Sequence, residues 1–409
     1  LQMEEGDHYK PASILNSVDR WLTHRPGSPV KIDDKIKNNI RDRLLGILFS
    51  QSFDIIDRGI GTQEDLNFGC QVALGFKKGP LDLMRDLGEA EVQRIMKKFQ
   101  QERPGFPQPE QPHAAYQDFN RFILVDDREG VKIITIRRPQ AMNALNDEMT
   151  AEILAVLEHY ANDPAVKGFV ITGYGTTAFS AGADIGKFPS MLGNPDASAQ
   201  YARDCAKVQM FMDQMDKPVV AAVNGLALGG GLEIAIRCHG MVATKNATLQ
   251  FPEISLGILP GIGGCVVPYR KWPQGADLFH EMICLARPVG SEEAAGIGMV
   301  SRIADDYPSL IAAAIDEVNS LQGKITRIAE GKIQIPEIEV SDEPKAGKQV
   351  LSKEAVSITV KTIQAGAAAE SLGNALEIGY KGFGEIACSA AAKEGISAFL
   401  ERRKPEFNK

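Results

Sequence analysis

The chain has 409 residues, 44% of them hydrophobic and 24% charged, enough for two or three domains with large cores, and this excludes general disorder. Its 45 basic residues stand against 53 acidic ones, and a net charge of −8 argues against nucleic acid as the partner.

The first ten residues, LQMEEGDHYK, are polar and lack the apolar core of a secretory signal, so no export is expected and a cytoplasmic location is read. Because the chain opens on Leu1 and not on Met, it reads as a processed or truncated piece of something longer. From Asp34, Ile36, Ile40, Leu44 and Leu48 recur every four positions beside Leu45, Phe49 and Phe53, the stripe of an amphipathic helix ending at Gly59. Thr62 with Asp65 caps a second helix that stops at Gly75, and LDLMRDLG from Leu81 is a third. Residues 1–105 are thus expected to form an all-helical domain. Four prolines fall between Glu102 and His113, which predicts a linker over 106–117.

The grammar then changes. Phe122–Val125 and Val131–Ile136 flank a polar turn and predict a hairpin, followed by a helix over 147–161 and a strand at 168–173. A glycine-rich loop, another helix and the strand KPVVAAV at 217–223 continue the alternation. The apolar stretch 218–236 is interrupted by Asn224, the triplet Gly229–Gly231 and Glu233, so it belongs to a water-soluble core and no membrane insertion is expected. A polar segment over 336–348 precedes an Ala-rich helical tail from Lys353 onward, suited to packing or oligomerisation. The six cysteines form no Cys-x-x-Cys pair and the six histidines no ligand spacing, so neither disulfide nor metal is expected.

The chemistry concentrates in a few segments. Gly229–Gly231 lie between a buried strand and an apolar helix, where main-chain amides at a helix start point into a turn and can stabilise an oxyanion. Close strand–helix packing explains an isolated glycine triplet equally well. FSAGADI, Phe179–Ile185, is a second small-residue loop able to offer the Ala183 amide. Glu233 sits in the first turn after the glycines, where the helix dipole alone would favour an acid. Glu253 sits between Pro252 and Ile254 before the loop GILPGIGG, a place where a lone acid is usually a cap. Together, in apolar surroundings, the pair can be tuned as one acid and one base.

The segments RPQAMNAL, FSAGADI, KPVVAAVNGLALGGGLEIAI, LQFPEISLGILPGIGG and AFLERRKPEF, in this order, resemble the crotonase superfamily and specifically its enoyl-CoA hydratases. The resemblance covers about 118–303 and resumes at 393–407. It implies an α/β fold, a crotonase-like spiral of ββα units over 118–409 with a helical C-terminal region from about 353, usually assembled as trimers or dimers of trimers. It also implies an oxyanion hole from the amides of Ala183 and Gly230 and a catalytic pair Glu233 and Glu253. The segments around Ala141 and Ala181, with Asp184, would meet the CoA part of the substrate. Phe399 and Arg402 would close the acyl-CoA site, in some relatives across a subunit boundary. Phe188, Met191, Leu192 and Trp272 are read as walls of the acyl tunnel. Cys265 and the long segment 321–352 depart from the family's simple pattern.

The N-terminal helices resemble, over fewer residues, the C-terminal helical domain of 3-hydroxyacyl-CoA dehydrogenases, with Asp42 where that family usually has Asn. No G-x-G-x-x-G follows a strand anywhere, so dehydrogenase activity is not expected from this chain alone. The implied whole is the distal part of a fused dehydrogenase/enoyl-CoA hydratase of fatty-acid β-oxidation, needing NAD only if the missing domain is supplied. Hydration of an enoyl-CoA needs no cofactor. The competing readings are a Δ3,Δ2-enoyl-CoA isomerase using Glu253 alone, and a non-catalytic acyl-CoA-binding subunit.

Overall fold

The computed structural model describes residues 31–407 and, before them, positions 17, 19, 25, 28 and 29. The polar opening decapeptide lies outside the described residues. The chain divides into two compact units, Leu1–Phe119 and Asn120–Lys409.

Among its described residues the first unit has four α-helices, Asp34–Asp57, Gln63–Leu74, Pro80–Leu87 and Glu89–Glu102. Their starts and stops follow the chemistry read from the sequence. Thr62 Oγ1 accepts from the Asp65 amide at 3.2 Å, and Gly75 closes that helix at φ 70°. The fourth helix, with Val92, Ile95, Met96 and Phe99 on its buried face, was not among the sequence-predicted elements. It decides which side of the first helix is covered. A side chain on Gly46 would fall 2.5 Å from the Phe99 ring, so the helices meet along Asp42, Gly46, Phe49 and Phe53. The stripe read from the sequence is therefore rotated toward solvent: Ile36, Ile40 and Leu44 are more than half exposed. A second correction concerns the linker expected over 106–117. This stretch is folded against its own unit, with Tyr116 fully buried, its ring 4.5 Å from that of Phe53 and its hydroxyl donating to Asp57 at 2.7 Å.

The second unit winds between two sheets. β1 (Ile123–Arg128) and β2 (Val131–Ile136) form the predicted hairpin, turned by Glu129 and Gly130 at φ 58° and 81°. After the Asp147–Tyr160 helix, β3 (Gly168–Gly173) enters the large sheet and β4 (Ala178–Ser180) a smaller one. β5 (Val219–Val223) and β6 (Leu226–Leu228) repeat this division, as do β7 (Gly240–Thr244) and β8 (Thr248–Gln250). With β9 (Val289–Gly290) and β10 (Arg302–Ala304), the large sheet runs β1-β2-β3-β5-β7-β10 and the small one β4-β6-β8-β9. Each turn of the spiral thus gives one strand to each sheet.

β3 and β5 are buried at every position because the parallel sheet is covered on both faces. Val170, Val220, Ala222 and Val242 pack on Leu310, Ala314 and Val318 of the Tyr307–Ser320 helix. Their neighbours Ile171, Ala221, Val223 and Ala243 face the main core. The tail is three helices, Lys353–Ala367, Leu372–Ile386 and Ala390–Leu400, each started by a serine whose hydroxyl accepts a helix amide. The long segment before it carries a two-stranded ribbon, Lys345–Ala346 with Gln349–Val350. No described helix is long and apolar enough to cross a membrane.

Candidate active site

The spiral forces a tight crossing where each chain leaves the small sheet. After β6 the backbone turns at Gly229, φ 48° and ψ −125°, and enters the short helix Gly230–Arg237. Only glycine suits this turn: a β-carbon there would have strained φ and would lie 2.6 Å from Glu253 Oε1. One on Gly231 would strike Ser180, which ends β4. The two small-residue loops consequently abut. A methyl group on Gly230 would sit 3.5 Å from the Ala183 nitrogen, and one on Gly182 3.5 Å from the Gly230 nitrogen. Leu145 and Asp184 use the hydrogen bonds on either side of Ala183, tying that loop to the 138–145 segment. Among the described residues, neither the Ala183 nor the Gly230 amide donates to a protein acceptor.

Beside these amides lies a cavity of about 100 Å³ whose walls include Ala181, Ala183, Gly230, Glu233 and Glu253. Glu233, in the first turn of its helix, is 2% exposed. Its Oε1 accepts from the amides of Ile262 at 2.8 Å and Gly264 at 2.7 Å, so the GILPGIGG loop clamps one oxygen. Glu253 opens a single 3-10 turn after Pro252, and its buried Oε2 has no protein partner among the described residues. An unsatisfied buried carboxylate oxygen is costly and calls for an explanation. Burial pushes both carboxyls above the ordinary range. For Glu233 the Gly264 and Ile262 amides and the charge of Arg237 pull back down. For Glu253 the neighbouring Glu233 pushes further up.

A model of the enoyl-CoA hydratase/isomerase family matches residues 126–331. A crotonyl-CoA hydratase from Syntrophomonas wolfei is 33% identical over 291 residues, 70% of this chain and 97% of that protein. A short-chain-enoyl-CoA hydratase from Clostridium acetobutylicum is also 33% identical, over 71% of this chain and 98% of its own. The chain belongs to the enoyl-CoA hydratase/isomerase family. Among solved structures, an enoyl-CoA hydratase/isomerase from Xanthobacter autotrophicus superposes with a TM-score of 0.52 at 26% identity, covering 69% of this chain and 94% of that one. The crotonase-like α/β fold follows.

As a family member the chain brings five sequence-predicted residues, Ala181, Ala183, Gly230, Glu233 and Glu253, to one cavity. Four others stand elsewhere. Ala141 ends a 3-10 turn, half-buried, next to the strand of residues where the Ala181 amide donates to Met142 O. Asp184 pairs with Arg138 at 2.8 Å instead of facing the cavity. Phe399, half exposed, and Arg402, at φ 56°, lie at the end of the last helix, away from the cavity walls. Of the expected tunnel walls only Phe188 lines the cavity; Met191 and Leu192 pack against the main core and Trp272 packs toward Phe279. The sequence reading missed Tyr201, Cys205, Leu259, Ile262 and Phe383. Phe383 comes from the tail helix Leu372–Ile386 and stacks edge-on against Phe188 at 5.9 Å. No local pattern marks it, since a buried aromatic on a helix looks the same wherever it packs.

Proposed function

We propose that this protein hydrates trans-2-enoyl-CoA thioesters to 3-hydroxyacyl-CoA. The observation that carries the reading is two buried carboxylates at one small apolar cavity whose edge offers two unused amides. The thioester oxygen accepts from the amides of Ala183 and Gly230, which draws electron density from the double bond and exposes C3. Water adds its hydroxyl to C3 while its other proton passes to Glu233, and the electron pair moves to the thioester oxygen. Glu253 then gives its proton to C2, and solvent exchange resets the pair. The environments suit these roles: Glu253 faces burial and a second acid and stays protonated, whereas the clamped Glu233 is eased toward its charged form. Each oxyanion donor is worth roughly 3 kcal/mol of barrier.

The wider reading is that the chain is the distal part of a fused dehydrogenase/enoyl-CoA hydratase, its helical first unit supported by the resemblance already described. Assembly into trimers or dimers of trimers would let Phe399 and Arg402, exposed in the single chain, meet the acyl-CoA of a neighbouring subunit. The test is an assay with crotonyl-CoA, following loss of the conjugated-thioester absorbance with and without NAD. Absorbance gained from a 3-enoyl-CoA, with none lost from crotonyl-CoA, would replace hydration by isomerisation. No change with either substrate would leave a binding subunit.

A further inference from the structure

Arg237 is the last residue of the helix that carries Glu233, one turn farther on, and its side chain is fully buried. A charge so placed is expensive unless it is paired. Asp213, from the helix Lys207–Gln214, answers part of it: Nε donates to Oδ1 at 3.0 Å, and Nη2 to Oδ2. The third nitrogen, Nη1, is buried and makes no hydrogen bond of good geometry among the described residues, although the Tyr380 hydroxyl is near enough to interact with the guanidinium. It lies under the loop that clamps Glu233, where a β-carbon on Gly263 would fall 3.1 Å from it. The amides on either side of Gly263, those of Ile262 and Gly264, hold Glu233 Oε1.

The groups around Glu233 are few. Arg237 lies on its own helix, Glu253 on the 3-10 turn, Cys265 on the clamping loop, Cys205 on the helix Pro195–Cys205 and Tyr380 on the tail. Burial pushes both thiols and the phenol up, so these three stay neutral. That leaves Arg237 as the cation among them. On its far side a cavity of about 470 Å³ is lined by Asp213, Arg237, His239, Lys271, Arg327 and Glu330. Lys271 is spent on the carbonyls of Ile236 and Cys238, at 2.9 and 2.6 Å, and Arg327 on Asp216 and the Asp213 carbonyl. Glu330 accepts from the Leu372 amide.

We propose that Arg237 is a positioning residue for hydration: it underlies the 261–264 loop that orients Glu233 and supplies the buried positive charge facing that carboxylate, with Asp213 setting how much of the charge Glu233 feels. The proposal rests on Glu233 being the base that takes the water proton. It predicts shifts of opposite sign. Arg237→Met with Asp213→Asn removes the cation and its partner, and the acid limb of kcat/KM for crotonyl-CoA moves up by about one pH unit. Asp213→Asn alone leaves the cation unopposed, and the limb moves down. KM for crotonyl-CoA changes less than either.

A second readout does not need turnover: the Glu233 carboxyl 13C resonance, assigned by its loss in Glu233→Gln, titrates with the same opposite shifts. If that resonance titrates at one midpoint in all forms, or both variants shift it the same way, the proposal is overturned. A double variant that does not fold leaves the single Asp213→Asn shift to decide it. If the resonance shifts as stated while the wild type hydrates no enoyl-CoA, the control by Arg237 stands and the hydratase reading falls.

Discussion

Asp42 in the helical unit and Glu253 in the spiral are both buried carboxylates, and their surroundings are opposites. Asp42 accepts from Arg94 at 2.9 Å through both oxygens and from Lys98 at 3.1 Å, and the Arg94 contact holds its carboxyl well below the usual range. Among the described residues Glu253 has no cation beside it, an oxygen without a partner, and a second acid for a neighbour. The first arrangement ties two helices together. The second pushes an acid toward its neutral form at the edge of a cavity, as the proposed proton donor requires. A carboxyl perturbed by burial beside a second acid, in a cavity wall, is a functional clue that one satisfied by two cations between helices is not.

Substitutions that preserve shape test this contrast. The largest effect is expected on turnover: Glu233→Gln and Glu253→Gln each lower kcat by roughly 10²–10⁴-fold while crotonyl-CoA binding by calorimetry is little changed. Wild-type kcat in both would remove the acid–base role. Next, Asp42→Asn is expected to cost about 2 kcal/mol in denaturant unfolding, the scale of charge-assisted hydrogen bonds on a surface-linked network. Because the folded form of Asp42 holds its proton less tightly than the unfolded form, this cost is present at neutral pH. It fades as pH falls through the folded value.

Glu253→Gln should show the reverse dependence. The carboxyl is harder to ionise when folded, so its ionisation in the unfolded chain erodes wild-type stability as pH rises above about 4.5, the ordinary range. The variant's melting temperature should therefore exceed the wild type's by a margin that widens toward alkaline pH. A constant margin would mean that the acid is not destabilising. The smallest effect is Tyr116→Phe, about 1 kcal/mol for the hydrogen bonds to Asp57. A neutral result there would return the 106–117 stretch to the status of a linker.

Legibility in the sequence followed the range of the forces involved. Gly168–Gly173 matched its predicted bounds because a buried parallel strand is an unbroken apolar run between glycines. The three-residue strands of the small sheet, such as Leu226–Leu228, carry too few residues to show a period. The first helix was correct in extent, yet its buried side depended on Gly46 admitting Phe99, a contact no local pattern announces. That Glu233 and Glu253 line one cavity agrees with the family resemblance of their short motifs, whereas local pattern alone left each as an ordinary helix-start or turn acid. Tyr201, Cys205 and Phe383 could not be read, since each arrives from a different part of the chain.

Phe383 makes the cavity beside Glu233 and Glu253 depend on the tail. Both acids precede in the chain the helix that bears this ring, so without the tail they would stand against an unfinished wall. A version halted after the Tyr307–Ser320 helix would keep every polar group of the site and still admit water freely from one side. The tail thus seals the cavity, and its proteolytic loss would undo that seal without touching either glutamate.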